Sequence, residues 1–200
     1  PGLVGSEMCI RDRFYFHRGI IIKILFGFCW MEKLESLIKT YNDFPKKGIA
    51  FKDLLGIIQD SEIFRELILR MSLNHVIKNS EAIISIEARG FIFGSAISLQ
   101  ARKPMIVARK PGKLPGEIFQ ENYDLEYGSN SLSIEKEALE KFDSYAIVDD
   151  LLATGGTVDC VTRLINKSGK KFSGLLTVVE LIELNGRTRF NFPVESILKI

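Results

Sequence analysis

Residues 146–157 read AIVDDLLATGGT, and this stretch decides the fold. An apolar run, Ala146 to Val148, predicts a strand that ends on two adjacent carboxylates, Asp149 and Asp150. A short loop follows, and Thr154-Gly155-Gly156-Thr157 opens a helix predicted over 157–168 and stopped by Gly169. Gly155 and Gly156 let backbone N–H groups turn inward with no Cβ in the way. The positive end of the helix favours a phosphate there, and the hydroxyls of Thr154 and Thr157 add donors. Two carboxylates repel a phosphate; they suit a vicinal diol, such as the 2- and 3-hydroxyls of a ribose. The loop Ala153–Thr157 therefore reads as a cradle for a ribose 5-phosphate. It lacks the Gly-Lys-Ser/Thr of a nucleotide P-loop and is not a G-x-G-x-x-G dinucleotide turn. The plainer alternative is a helix N-cap made from Asp and Thr.

Working outward, AIISIE (82–87) and MIVA (105–108) are short apolar runs that predict buried strands, with a helix over 90–101 between them. Residues 175–181 predict a fourth strand and 196–200 a last one. Alternating strands and helices imply βαβ units, hence a mainly parallel, twisted α/β sheet with helices on both faces. Ligands of such sheets bind beyond the carboxyl ends of the strands. Upstream, 31–41 predicts a short amphipathic helix, 42–53 a loop punctuated by Pro45 and Gly48, and Ser61 the cap of a long helix. Residues 117–133 are mostly polar and predict an exposed hairpin with its turn at Gly128-Ser129-Asn130. His75 is expected half-buried against the sheet, and Cys160 in the core.

The chain has 27 Lys+Arg and 25 Asp+Glu over 200 residues, enough for one ordinary domain. Residues 1–30 hold four basic and two acidic residues, so 31–200 balances at 23 of each. That neutrality gives no basic face for nucleic acid. Region 31–200 also has one Cys (Cys160) and one His (His75), which leaves no disulfide framework and no Cys/His zinc set. The segment FYFHRGIIIKILFGFCW (14–30) looks like a signal core or a membrane anchor. It is 17 residues long against the roughly 20 a spanning helix needs, and it carries Arg18 and Lys23. No small-residue cleavage site follows it. Residues 1–30 are thus expected to be a non-native, disordered leader from upstream or adaptor translation, with Met31 the true start and no membrane association.

Three further groups carry chemistry. Glu87-Ala88-Arg89-Gly90 follows the second strand, where a turn presents N–H groups and Arg89 to a second anion. Arg109, Lys110 and Lys113 gather three cations within five residues, suited to a pyrophosphate leaving group or to an ordinary solvated turn. Glu126 and Tyr127 lie in the polar hairpin, where Glu126 reads either as a general acid/base or as a surface glutamate.

These stretches resemble the type I phosphoribosyltransferases, which use 5-phosphoribosyl pyrophosphate (PRPP), and most of all the branch that acts on adenine. The resemblance rests on DFPKKGIAFKD (43–53), EARGFIFG (87–94), ARKPGKLPGE (108–117), YDLEYG (123–128) and VDDLLATGGT (148–157). It covers about residues 32–200, none of it in the leader. It implies a small N-terminal base-binding hood, with adenine read by backbone groups around Ala50 and Lys52. Lys52 stands where the family commonly has Arg, and lysine does not reproduce a stacked or forked contact. It implies that Glu87, Ala88 and Arg89 form a pyrophosphate loop with a cis peptide between Glu87 and Ala88. Arg109, Lys110 and Lys113 would also contact pyrophosphate, Arg109 across a homodimer interface. Glu126 would assist proton transfer at the purine, with Tyr127 its loop neighbour. Mg²⁺ would be held mainly by PRPP or pyrophosphate rather than by protein ligands. The products would be AMP and pyrophosphate, and the location cytoplasmic. Two rivals share the PRPP loop: a transferase for hypoxanthine or guanine, and a non-catalytic PRPP-sensing regulator, which normally carries an added DNA-binding domain.

Overall fold

The structure, a computed structural model, describes residues 29–125 and 128–200. Residues 29–36 are helical (α1). Lys39–Asn42 (β1) and Ala50–Asp53 (β2) pair as an antiparallel hairpin, followed by helices Leu55–Gln59 (α2), Ser61–Ser72 (α3) and His75–Lys78 (α4). Ala82–Ile86 (β3), Gly90–Ala101 (α5) and Met105–Ala108 (β4) come next. The hairpin Ile118–Leu125 (β5) and Gly128–Glu135 (β6) leads through Lys136–Glu140 (α6) to Ser144–Leu152 (β7). Gly156–Lys167 (α7), Lys171–Glu180 (β8), two 3-10 turns (182–184 and 186–189) and Val194–Lys199 (β9) complete the chain.

The central sheet has the order β4-β3-β7-β8-β9, and all its pairings are parallel. From β3 the chain steps one way to β4; from β7 it steps the other way to β8 and β9. The order thus reverses between β3 and β7, where a parallel sheet opens a crevice at its carboxyl edge. Side chains alternate across the sheet with period two. Ile84, Ile86, Tyr145 and Ile147 face α7 and the base of the β5–β6 hairpin. Ile83, Ala146, Val148, Leu176 and Val178 face α3 and α5. Burial on both faces explains why these strands read as continuous apolar runs. In α3, Ile63, Leu67, Ile68 and Met71 are buried on one helical face, each contributing about 1.5–3 kcal/mol.

Several expectations are corrected. The first helix stops at residue 36, and Lys39–Asn42 is a strand. Ala50–Asp53, expected within a loop, is its partner. All four β1 residues are exposed, so no hydrophobic alternation marks the strand. The α3 cap is Asp60 rather than Ser61: its Oδ1 accepts from the Ile63 N–H at 3.0 Å. His75 is exposed, because α4 is one turn long and turns Val76 and Ile77 inward. The hairpin is exposed only in part: Leu132, Ser133 and Ile134 are buried, and Gly128, Ser129 and Asn130 belong to β6. Cys160 is buried, as expected. The expected boundary at residue 30 falls inside α1, where Trp30 packs against the core and Arg70 stacks on it at 4.3 Å. The rest of the expected leader lies outside the described residues.

Candidate active site

Strand β7 runs two residues further than the sequence predicts, because Leu151 and Leu152 pair with Val179 and Glu180 of β8. Asp149 and Asp150 are therefore held in a strand beside the switch point. Both are buried, and the Asp150 N–H donates to Asp149 Oδ1 at 2.9 Å. Burial, and then the charge of Asp150, pushes the Asp149 carboxyl well above the ordinary aspartate range and favours its protonated form. Asp150 is the member that meets Arg89. Its Oδ2 lies 2.7 Å from Arg89 Nε as an ion pair, yet receives no well-aligned hydrogen bond. Gly90 opens α5 directly against this pair: a Cβ there would sit 2.7 Å from Asp149 Oδ1.

The turn from β3 into α5 contains the cis Glu87–Ala88 peptide that the resemblance implies. The Glu87 side chain is 5% exposed and gathers two of the three expected cations. Arg109 Nε donates to Glu87 Oε2 at 3.1 Å, and Lys113 Nζ to Oε1 at 3.3 Å. Burial works to raise the Glu87 pKa, but these two partners together with the Lys110 N–H outweigh it and hold the carboxyl below its ordinary range. Lys110 is exposed beside them. Arg109 is anchored by its backbone, exchanging N–H···O bonds of 2.9 and 2.7 Å with Ser133 of β6. The hairpin thereby fixes the end of β4.

Arg89 links two parts of the site. Besides its pair with Asp150, its NH1 donates to the Lys52 carbonyl at 2.9 Å, and its guanidinium lies 4.9 Å from the Phe51 ring centre. It thus ties the β1–β2 hairpin to the acidic pair. Phe44 packs edge-on to Phe51 at 5.2 Å. Lys52 Nζ donates to Thr40 Oγ1 at 3.0 Å, and Ala50 is exposed at the start of β2. A small hairpin carrying the Phe44/Phe51 aromatic pair is thereby tied to the acidic pair through Arg89.

Ala153 to Thr157 form the turn from β7 into α7. Gly155 caps the helix at φ +81, and its missing Cβ leaves space that Phe190 and the Gly186 carbonyl fill at 2.9 and 3.1 Å. The first N–H groups of a helix have no partner within it, so this turn offers donors to an anion. The sequence reading of the strand-end residues thus coincides in space: Glu87 to Arg89, Arg109, Lys113, Asp149, Asp150 and the glycine loop all occupy the carboxyl edge. Glu126 and Tyr127 lie outside the described residues. Phe51 and the Gly186–Phe190 segment were given no role from the sequence, and Gly90 was named only as the end of the Glu87–Gly90 turn. The aromatic pair Phe44/Phe51 around Gly48 was the available signal for the hood, whereas nothing local marks Gly186 or Phe190.

No family model matches the chain. The adenine phosphoribosyltransferase of Prochlorococcus marinus strain MIT 9515 is 69% identical over 164 residues, covering 82% of this chain and 96% of that protein. Among solved structures, the adenine phosphoribosyltransferase of Rhodothermus marinus superposes with a TM-score of 0.80 at 33% identity, covering 86% of this chain and 99% of the other. The Saccharomyces cerevisiae enzyme, solved with an imino-altritol bisphosphate and adenine, gives 0.76 at 34% identity, covering 83% and 97%. With the acidic pair, the glycine loop and the hood in place, these likenesses identify the chain as a member of the adenine phosphoribosyltransferase family.

Proposed function

We propose that this chain transfers the 5-phosphoribosyl group from PRPP to adenine, giving AMP and pyrophosphate in purine salvage. The observation that carries the reading is the acidic pair of β7 running into the Ala153–Thr157 turn at the sheet's switch point. The N–H groups and hydroxyls of that turn bind the 5-phosphate. Asp150 accepts from a ribose hydroxyl; Asp149, whose protonated form burial favours, both donates and accepts. Backbone groups at Ala50 and Lys52 read adenine, with Phe51 beside them. Arg89 moves from Asp150 to the incoming pyrophosphate, which frees Asp150 Oδ2 for the ribose. Arg89, Arg109, Lys110 and Lys113 take up negative charge as the C1–oxygen bond to pyrophosphate breaks. The ribosyl centre gains oxocarbenium character, and an adenine nitrogen captures it. Glu126 assists removal of the proton that adenine loses, with Tyr127 its neighbour in sequence.

The described residues contain no cluster of three metal-ligating side chains. The under-satisfied Asp150 Oδ2 is a hard oxygen donor, and Mg²⁺ commonly takes one or two carboxylates and completes its shell with phosphates and water. The site therefore fits an ion carried chiefly by the substrate, with Asp150 as the protein group nearest to it in chemistry. Such an ion supplies positive charge to the leaving pyrophosphate. Two further parts rest on the family resemblance alone: a homodimer in which Arg109 serves the neighbouring subunit's site, and a cytoplasmic location. Residues 1–30 are proposed to be dispensable for the reaction.

The test is chromatographic nucleotide analysis after incubation with PRPP, Mg²⁺ and each of adenine, hypoxanthine and guanine. AMP from adenine, with little product from the others, is expected. IMP or GMP at comparable rates would replace the proposed base, and binding of PRPP without any turnover would favour a sensor.

A further inference from the structure

A polar cluster outside the residues discussed so far sits directly behind the Ala153–Thr157 turn. Glu180 ends β8, next to Leu152 of β7, and is buried at 5% exposure. Arg187, in the 186–189 turn, grips it with both arms: Nε to Oε1 at 2.8 Å and NH2 to Oε2 at 2.5 Å. Ser196 of β9 donates to the same Oε2 at 2.6 Å, and Arg187 NH1 donates to the Val194 carbonyl. Glu180 is thereby held below the ordinary glutamate range, chiefly by Arg187, and Arg187 is raised in turn. The cluster fixes a short segment with little secondary structure of its own. That segment is in contact with the loop: a Cβ on Gly186 would overlap the Ala153 carbonyl oxygen, and Phe190 fills the space beside Gly155.

We infer that Glu180, Arg187 and Ser196 form a positioning clamp that presses Gly186 and Phe190 against the back of the Ala153–Thr157 turn, setting the aim of its N–H groups for the 5-phosphate. The clamp touches no substrate. Forked guanidinium–carboxylate geometry suits this task because it fixes orientation as well as distance. An N–H array displaced by an ångström loses much of its grip on an anion. The inference rests on the proposed role of that turn in holding the 5-phosphate.

The test compares Arg187→Met, Arg187→Lys, Glu180→Gln and Gly186→Ala with the parent chain, alongside Thr157→Ala within the turn. Steady-state KM for PRPP, KM for adenine, kcat and the Kd of AMP are read, with thermal unfolding as a check on folding. Arg187→Met and Gly186→Ala should raise the KM for PRPP and the Kd for AMP about tenfold. The KM for adenine and kcat should change less than about threefold, and Arg187→Lys should recover part of the loss. Gly186→Ala leaves the ion cluster intact, so it keeps the test open if the charge variants unfold. Unchanged PRPP and AMP affinity in folded Arg187→Met and Gly186→Ala would overturn the clamp. So would an equal rise in both KM values, which marks general loosening. If Thr157→Ala raises the KM for PRPP while the clamp variants do not, the clamp alone fails; if neither does, the 5-phosphate reading of the turn fails with it.

Discussion

Replacing Glu87 with Gln tests the electrostatic frame of the pyrophosphate loop. The Glu87 carboxylate is 5% exposed and accepts from Arg109 at 3.1 Å and Lys113 at 3.3 Å. A hydrogen bond to a charged group contributes about 1.5–3 kcal/mol when both partners are buried. Here the cations are 35% and 50% exposed, so solvent screening reduces each contact towards the roughly 0.2–1 kcal/mol of a surface pair. Glu87→Gln should therefore cost about 1–2 kcal/mol at pH 7, roughly 2–8 °C in Tm for a domain of this size. The folded pKa of Glu87 lies below its ordinary value of 4.5. Its contribution is thus present above that value and is lost as the pH falls through the folded pKa. Urea unfolding of both chains from pH 7 to about pH 3 should show a gap that narrows below the ordinary glutamate value. Equal stability at pH 7, or a gap that persists unchanged to the acid end, would refute the argument.

Other outcomes follow from the same geometry. Asn reproduces a protonated aspartate, so Asp149→Asn should weaken PRPP binding less than about threefold, whereas Asp150→Asn should weaken it tenfold or more, read by calorimetric titration. Tyr145 is buried, its hydroxyl donates to the Leu139 and Phe142 carbonyls at 2.6 and 3.2 Å, and burial pushes its pKa up to about 12 from 10.0. Tyr145→Phe should cost about 1–2 kcal/mol with kcat unchanged. Wild-type stability should fall as the pH rises from 10 towards 12, because the unfolded chain ionises first, and the variant should fall less. Phe51→Ala should raise the KM for adenine and leave that for PRPP within about twofold, measured by varying each substrate in turn.

The parts of the molecule that a sequence reveals are those where burial leaves a local pattern. Strands β3 and β7 are buried on both faces and read as apolar runs, and the edge strand β4 is apolar throughout but fully buried only at Ile106 and Ala108. The hood was read through the family resemblance, because β1 is exposed at every residue and carries no alternation. The acidic pair and glycine loop are contiguous, so their use follows from spacing. The pairings that shape the site are not contiguous. Arg89 reaches Lys52 across 37 residues and Arg109 reaches Glu87 across 22, and no local rule places them together. Spacing suggested three cations free to meet pyrophosphate; the fold instead gives two of them an internal counter-ion in Glu87 and gives Arg89 one in Asp150. The raised pKa of the Asp149 carboxyl likewise depends on its burial in the sheet, which an Asp-Asp dipeptide does not encode.

The most direct measurement is a ¹H–¹⁵N NMR titration of the full chain with AMP. The account predicts that the largest shifts fall on the amides of Ala153 to Val158 and of Asp149 and Asp150, with a second group at Ala50 to Lys52. Saturating AMP that leaves the amides of the Ala153–Thr157 turn unmoved while shifting residues elsewhere would contradict it.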